Sequence, residues 1–98
     1  MVNIEWTDEA KFWLKDIHDY VAEDNNRIAK KIIREIYNKV QILVTFPQIG
    51  YMYPSENEHE IRILLYGHYR IAYLIKDKDT ISVLGIFHGS LDIHRYLK

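Results

Sequence analysis

The sequence predicts an α+β domain: a strand, then an antiparallel hairpin of two helices, then a three-stranded antiparallel meander, with the helices on one face of the sheet. Two observations support this prediction. Residues 60–88 form three runs rich in branched and aromatic side chains, separated by turn residues at 66–68 and 77–79, as expected for consecutive antiparallel strands. Residues 10–44 instead carry apolar side chains at helical spacing, which is typical of amphipathic helices.

The N-terminal segment predicts a strand followed by a capped helix. Val2–Trp6 alternates apolar and polar residues, which is the period of a half-buried strand. Thr7 can cap the next helix, and Asp8 and Glu9 suit its positive end. The apolar positions of this helix share one face: Ala10, Trp13, Leu14, Ile17, Tyr20 and Val21. Phe12 falls outside that face, so we expect it to contact a neighbouring element or a partner.

A second helix is predicted from the polar break at 23–26 to about Thr45, where Pro47 ends it. Its apolar positions keep the helical period: Ala29, Ile32, Ile33, Ile36, Tyr37, Val40, Leu43 and Val44. Because the link between the helices is short, they should form an antiparallel hairpin.

The segment 46–60 is predicted to be a long loop, since it contains two prolines, a glycine and other turn residues. Tyr51 and Tyr53 lie within it. Either they cover the edge of the core, or they offer a stacking surface for bases or for a partner.

Alternation along the last two strands predicts which side chains share a face. One face carries Arg70, Ala72, Leu74, Leu84, Ile86 and His88. The other carries Ile71, Tyr73, Ile75, Ile81, Val83 and Phe87. Since the helices can cover only one of these largely apolar faces, we expect the other to stay substantially open as a binding surface. The tail at 91–97, read as one turn or a flexible end, can fold back over part of it.

Composition excludes several classes of protein. The chain has 98 residues, enough for one domain spanning residues 1–98, and its net charge is −1. A strongly basic nucleic-acid-binding protein is therefore not indicated. The absence of cysteine excludes disulfides and thiolate metal sites. No transmembrane stretch or signal-peptide pattern occurs, which predicts a soluble cytoplasmic protein without membrane contact.

Neither a metal nor a cofactor is expected. The chain has five histidines, but they show no ligand-pair spacing on one helix, and no cysteine is present to complete a structural site. The sequence contains neither a glycine-rich phosphate loop nor a nucleophile elbow.

Three polar residues interrupt the apolar strands and could carry chemistry: Arg62, Arg70 and His88. Arginine suits phosphate through its planar fork, and histidine exchanges protons near neutral pH. With a nearby tyrosine they could cut RNA, the base taking the 2′-hydroxyl proton while the guanidinium groups stabilise the developing charge. The structural alternative is that Arg62 pairs with Glu60 or another acid at the edge of the sheet, Arg70 forms an ion pair within the domain, and His88 ends its strand with a satisfied hydrogen bond.

Five segments, in their order and spacing, resemble the RelE/ParE superfamily of bacterial toxins from type II toxin–antitoxin systems, often labelled plasmid stabilisation proteins. The segments are Trp6–Ala10, Leu43–Gly50, Ile61–Ile63, Gly67–Tyr73 and Val83–Asp92, and the resemblance covers nearly the full chain. It implies a growth-arresting toxin that a cognate antitoxin neutralises by wrapping it with a helix or an extended segment. A homodimer or a toxin–antitoxin hetero-oligomer would be the assembled form.

The superfamily contains two activities, and both stay open at the level of sequence. RelE-like members cut messenger RNA on the ribosome. By resemblance to them, Arg70 matches one basic position, Arg62 lies near another, His88 falls where histidine or lysine is frequent, and Tyr96 or Arg95 lies near the tail tyrosine. Such nucleases are generally basic, and this chain is not.

ParE-like members poison DNA gyrase and are not nucleases. The Phe-Pro-x-x-Gly loop at 46–50 and the ending at 88–92 are similar to those members. This resemblance favours a gyrase poison slightly. A third interpretation is an interaction protein of the same fold that has lost its toxic activity.

Overall fold

The computed structural model describes residues 2–54, 59–89, 91 and 93–97. Its helices and strands, in chain order, are β1 (Asn3–Trp6), α1 (Asp8–Ala22), α2 (Asn26–Gln41), β2 (Tyr51–Met52), β3 (Glu60–Tyr66), β4 (Tyr69–Asp77) and β5 (Thr80–His88). Two 3₁₀ turns add Ile42–Val44 and Ile93–Arg95. The predicted α+β class and the meander, β3 to β5, are confirmed.

The sheet has five strands in the order β1-β5-β4-β3-β2. β1 runs parallel to β5, and the other neighbours are antiparallel. The edge strand β2 lies inside the segment predicted to be a loop, because two residues are too few to show a strand period. α2 ends at Gln41, a few residues before the predicted end, and continues as a 3₁₀ turn. Within the described residues no helix is long and apolar enough to cross a bilayer.

Thr7 caps α1 and also ties that helix to the sheet. Its Oγ1 accepts a hydrogen bond from the Ala10 amide at 3.1 Å and donates one to the Val83 carbonyl at 2.8 Å. Its own amide donates to the same carbonyl at 3.2 Å. The predicted cap is confirmed, and one hydroxyl thereby fixes where α1 begins relative to β5.

Replacing Thr7 with alanine should lower the free energy of unfolding by about 1–2 kcal/mol, because an N-cap bond and a second hydrogen bond are lost together. Thr7→Ser, which keeps the hydroxyl, is the matched control and should lower the free energy of unfolding by a smaller amount. Urea denaturation followed by circular dichroism measures both variants. Equal losses for serine and alanine would contradict the role of the hydroxyl.

The main core lies between the helices and one face of the sheet. Ala10, Ile17, Ile36, Val40 and Leu43 of the helical half meet Leu64, Ile71, Tyr73, Ile81, Val83 and Ile86 of the strands. This packing explains the apolar stripes seen in the sequence.

A β-bulge in β5 changes which side chains share a face. Tyr73 pairs with Val83 but Ala72 pairs with Gly85, so β5 carries one extra residue at that point. An extra residue reverses the alternation beyond it. The face predicted for Ile86 and Phe87 is therefore wrong: Ile86 joins the core under the helices, and Phe87 lies on the opposite face. His88, one residue further on, is reversed in the same way.

The second face of the sheet is covered by the chain's own C-terminal tail. Ile93 and Leu97 are 5% and 8% exposed, and they pack over Ile61, Ile63 and Leu74, each 7% exposed or less. The Leu97 amide donates to the Ile93 carbonyl at 3.0 Å, which turns the tail back on itself. The expectation of a substantially open apolar face is wrong, and the expectation that the tail folds over it is confirmed.

Candidate functional site

Arg62 holds the chain that precedes β2. It pairs with Tyr73 across the sheet and therefore lies on the helix side. Its Nη1 donates to the carbonyls of Gln48 at 3.1 Å and Gly50 at 2.6 Å, and its Nε donates to the Glu60 carboxylate. The predicted ion pair with Glu60 is confirmed. Because three hydrogen bonds engage this guanidinium, its structural role is to fix a loop.

Arg70 lies on the tail side of the sheet, opposite Arg62. Its Nη2 donates to the Leu91 carbonyl at 2.6 Å, while its Nε is buried without a hydrogen-bond partner among the described residues. The ion pair expected for Arg70 does not form within that part of the chain; the arginine binds the backbone of the tail instead. Its role in the fold is to hold the start of the tail against β4.

His88 ends β5 and pairs with Tyr69 across the sheet. Its ring meets Tyr69 edge-on at 5.9 Å and lies 6.4 Å from the ring of His68. Since Arg70 pairs with Phe87, His88 and Arg70 point to opposite faces, which corrects the prediction that they share one. Both nevertheless border a shallow depression of about 510 Å³ at this end of the sheet.

Tyr96 lies elsewhere, over the tail side of β5. Its ring stacks on Phe87 at 5.4 Å and meets Trp13 edge-on at 5.2 Å. Neither Tyr96 nor Arg62 borders the depression that Arg70 and His88 share. Of the four side chains proposed from sequence for catalysis, the fold brings two to one place and leaves the other two apart.

Tyr73 is a residue that the sequence did not single out. It is fully buried, and its hydroxyl accepts from the Gly50 amide at 3.0 Å and donates to the Pro47 carbonyl at 2.7 Å. Burial is the main cause that raises the pKa of this hydroxyl. Together Arg62 and Tyr73 fasten residues 46–52, which we call the anchored loop. A tyrosine in an apolar strand could have pointed to such an anchor, because a buried hydroxyl needs partners.

The anchored loop presents apolar side chains to solvent. The exposed fractions are 56% for Phe46, 50% for Ile49, 50% for Tyr51 and 56% for Met52. Tyr53 is only 7% exposed and packs in the core under the tail. Tyr53 therefore covers the core edge, as the first alternative predicts, whereas Tyr51 lies at the surface.

A pocket of about 700 Å³ adjoins the anchored loop. Phe46 and Ile49 form one wall, and Ile75 and Ile81 of the sheet form another. Its charged lining residues are Asp77 and Lys78, in the turn between β4 and β5. The walls are thus mainly apolar. Among the described residues no group of three histidine or acidic side chains is placed to hold a metal ion.

Tyr66 forms a hydrogen bond that shifts its pKa strongly upwards. Its hydroxyl donates to the Glu35 carboxylate of α2, and this bond is the main cause that raises its pKa to about 12. The neutral phenol is therefore favoured in the folded state. A contact between β3 and α2 depends on that proton.

Ultraviolet titration should show Tyr66 ionising near pH 12, above the ordinary tyrosine value of 10.0. Because the folded pKa is raised, the stabilisation from this bond is complete below about pH 10 and is lost as pH rises towards 12. Glu35→Gln removes the carboxylate and should bring the titration back towards 10, with Tyr66→Phe identifying the signal. A titration unchanged by Glu35→Gln would contradict this assignment.

Comparison with known proteins gives a family and a solved structure of similar fold. The family model described as ParE toxin of type II toxin-antitoxin system, parDE, matches residues 4–93. A solved structure described as the chromosomal ParDE TA system from P. aeruginosa is 27% identical, with a TM-score of 0.73. The match covers 90% of this chain and 96% of that chain. No curated protein matched. Since the family match covers residues 4–93 and therefore well over half of the sequence, the chain belongs to the ParE toxin family of type II toxin–antitoxin systems.

Proposed function

We propose that this toxin arrests growth by binding DNA gyrase and trapping it on cleaved DNA, and that a cognate antitoxin neutralises it in the cytoplasm. Membership of the ParE family supports the toxin role. The observation that favours gyrase over messenger RNA is that both candidate arginines are engaged with this chain's own backbone.

An RNA-cleaving site needs its proton acceptor within hydrogen-bond reach of the 2′-hydroxyl, roughly 2.6–3.2 Å, and its guanidinium groups within the same reach of the adjacent phosphate. Arg62 and Arg70 lie on opposite sides of the sheet, and the Nε of Arg70 is buried. Tyr96 stacks on Phe87 away from the histidine end of the sheet. For these side chains to contact one RNA site together, the arginines would have to break their present hydrogen bonds and Tyr96 would have to leave the Phe87 ring.

Charge supports the same conclusion. A nuclease that acts on ribosome-bound messages must approach a dense array of phosphates, and its affinity then depends on an excess of lysine and arginine. This chain carries 13 basic and 14 acidic side chains. Recognition of a protein surface on gyrase requires no such excess.

The direct test incubates the purified toxin with DNA gyrase, ATP and plasmid DNA. We expect linear plasmid after detergent has trapped the cleaved complexes and protease has removed the linked gyrase, in an amount that rises with toxin concentration. Absence of cleaved complexes at micromolar toxin, with ciprofloxacin as the positive control, would refute the proposed target.

A second measurement separates the ribonuclease alternative and the inactive alternative. Primer extension on messages from cells that express the toxin alone should show intact transcripts; codon-phased breaks that disappear in His88→Ala would favour the nuclease. Normal growth after expression without an antitoxin would favour a protein that has lost toxicity.

A further inference from the structure

The two helices carry opposite net charges. α2 has five basic side chains and one acidic one, a net charge of +4 in a chain whose total net charge is −1. α1 has four acidic and two basic side chains, a net charge of −2 with histidine neutral. The balance of the whole chain therefore does not describe α2, which holds a local excess of positive charge.

Four of the five cations lie on the side of α2 that faces away from the core. Ala29, Ile36 and Val40 are each 0% exposed and define the buried side of this helix. Because an α-helix has 3.6 residues per turn, residues 27, 30, 31, 34 and 38 fall within an arc of about 100° on the opposite side. All five are exposed, and we call them the basic face: Arg27, Lys30, Lys31, Arg34 and Asn38.

The chain's own carboxylates do not neutralise the basic face. None of its four cations takes part in an ion pair within residues 2–54, 59–89, 91 and 93–97. Glu35, the acidic residue of α2, accepts a hydrogen bond from the Tyr66 hydroxyl instead. The positive charge is therefore directed to solvent, where an anionic partner would complement it.

The spacing of the basic face suits a nucleic-acid backbone. At a rise of 1.5 Å per residue, Arg27 and Arg34 are about 10 Å apart along the helix axis. Double-stranded DNA carries one phosphate charge per roughly 1.7 Å of its axis, so cations spread over this length can contact several phosphates. Arginine binds phosphate through two parallel hydrogen bonds, and lysine binds it as a point charge. Such contacts read no base sequence.

Gyrase supplies the DNA in the proposed function. The net charge of −1 predicts weak binding of the free toxin to nucleic acid. A gyrase contact that holds the toxin beside DNA raises the effective concentration of phosphates at α2. At about 0.1 M salt the Debye length is roughly 10 Å, so each phosphate interacts mainly with nearby cations and not with the net charge of the chain.

We propose that the basic face binds the phosphate backbone of duplex DNA beside the gyrase surface that holds the toxin. This inference rests on the proposed function, since gyrase brings the DNA within reach. The contact is independent of base sequence and strengthens the hold of the toxin on gyrase that is bound to DNA.

Fluorescence anisotropy with a labelled DNA duplex of about 20 base pairs measures the contact directly, in salt from about 50 to 200 mM. For four phosphate contacts, the logarithm of the binding constant should fall with the logarithm of the salt concentration with a slope of about −3 to −4. Lys31→Gln/Arg34→Gln should lose about half of this slope, because two of the four contacts are removed.

Lys11→Gln/Lys15→Gln is the matched control. Both lysines are exposed on α1, and the change removes the same amount of charge from the acidic helix. We expect this variant to keep the wild-type slope. Circular dichroism verifies that both double variants keep their helices.

The gyrase cleavage assay measures the contact in the complex with gyrase and DNA. Lys31→Gln/Arg34→Gln should need about tenfold more toxin to give the same amount of linear plasmid, whereas the α1 control should match wild type. Two further probes identify the partner: an RNA duplex of the same sequence, measured by anisotropy, and the antitoxin encoded beside the toxin gene, measured by calorimetry.

An α2 variant that equals wild type in both DNA assays overturns the inference and leaves gyrase poisoning intact. If wild-type toxin fails to trap gyrase, the proposed target is lost and the anisotropy measurement decides alone. DNA binding that depends on Lys31 and Arg34 then upholds the contact, and absence of DNA binding overturns it. Tighter binding to the RNA duplex assigns the face to RNA, and a loss confined to antitoxin binding assigns it to an acidic protein; either result also overturns the inference.

Discussion

Replacing Phe87 with alanine is expected to lower the free energy of unfolding by about 3–5 kcal/mol. Phe87 is 1% exposed, and its ring lies 5.1 Å from Trp13 of α1 and 5.4 Å from Tyr96 of the tail. Alanine would therefore leave a cavity where three parts of the chain meet. Gly85 is part of the same arrangement, because a Cβ there would lie 2.6 Å from the Phe87 ring.

Urea denaturation monitored by tryptophan fluorescence measures this loss, since Trp13 reports on the same cluster. Phe46→Ala is the matched control: that phenylalanine is 56% exposed, so the change should stay within about 0.5 kcal/mol. A loss below about 1 kcal/mol for Phe87→Ala would mean that the tail does not pack on the sheet as described.

Gly50→Ala is expected to lower the free energy of unfolding by roughly 1–3 kcal/mol, because the added methyl group overpacks this site. A Cβ at this position would lie 2.7 Å from the Ile63 carbonyl oxygen and 2.9 Å from the ring of Tyr73. Ile63 and Tyr73 belong to inner strands of the sheet, where close packing prevents them from moving aside without a loss of stability. The anchored loop would have to lift, which would also loosen its bonds to Arg62 and Tyr73.

Thermal unfolding measures the stability of Gly50→Ala, and hydrogen exchange at 46–52 reports whether the loop has lifted. Gly67→Asn is the control glycine substitution. Gly67 has φ of 54° and open space around its Cβ position, and asparagine adopts this region more readily than other L-residues. An alanine variant as stable and as protected as wild type would contradict the close approach at Gly50.

Local sequence patterns determined the helices, the meander and the first cap. The period of the apolar residues from Ala10 to Val44, the hydroxyl of Thr7 and the turn residues around Gly67 act within a few positions along the chain, so they can be read without knowing the fold. The ion pair of Arg62 with Glu60 is of the same kind, since residues two apart in a strand share a face. Family membership followed from the order of such segments.

Tertiary structure decided what each face of the sheet does. One extra residue in β5 places Phe87 and His88 on the faces opposite to those predicted. Such a bulge depends on strand pairing, which no local sequence pattern reports. The tail covers the sheet face away from the helices, which the sequence predicted to be open. Ile93 and Leu97 can pack on this face only once the strands have paired. The anchored loop likewise depends on Tyr73, 23 residues from Gly50 along the chain. Such distant contacts arise from packing, which a linear pattern does not encode.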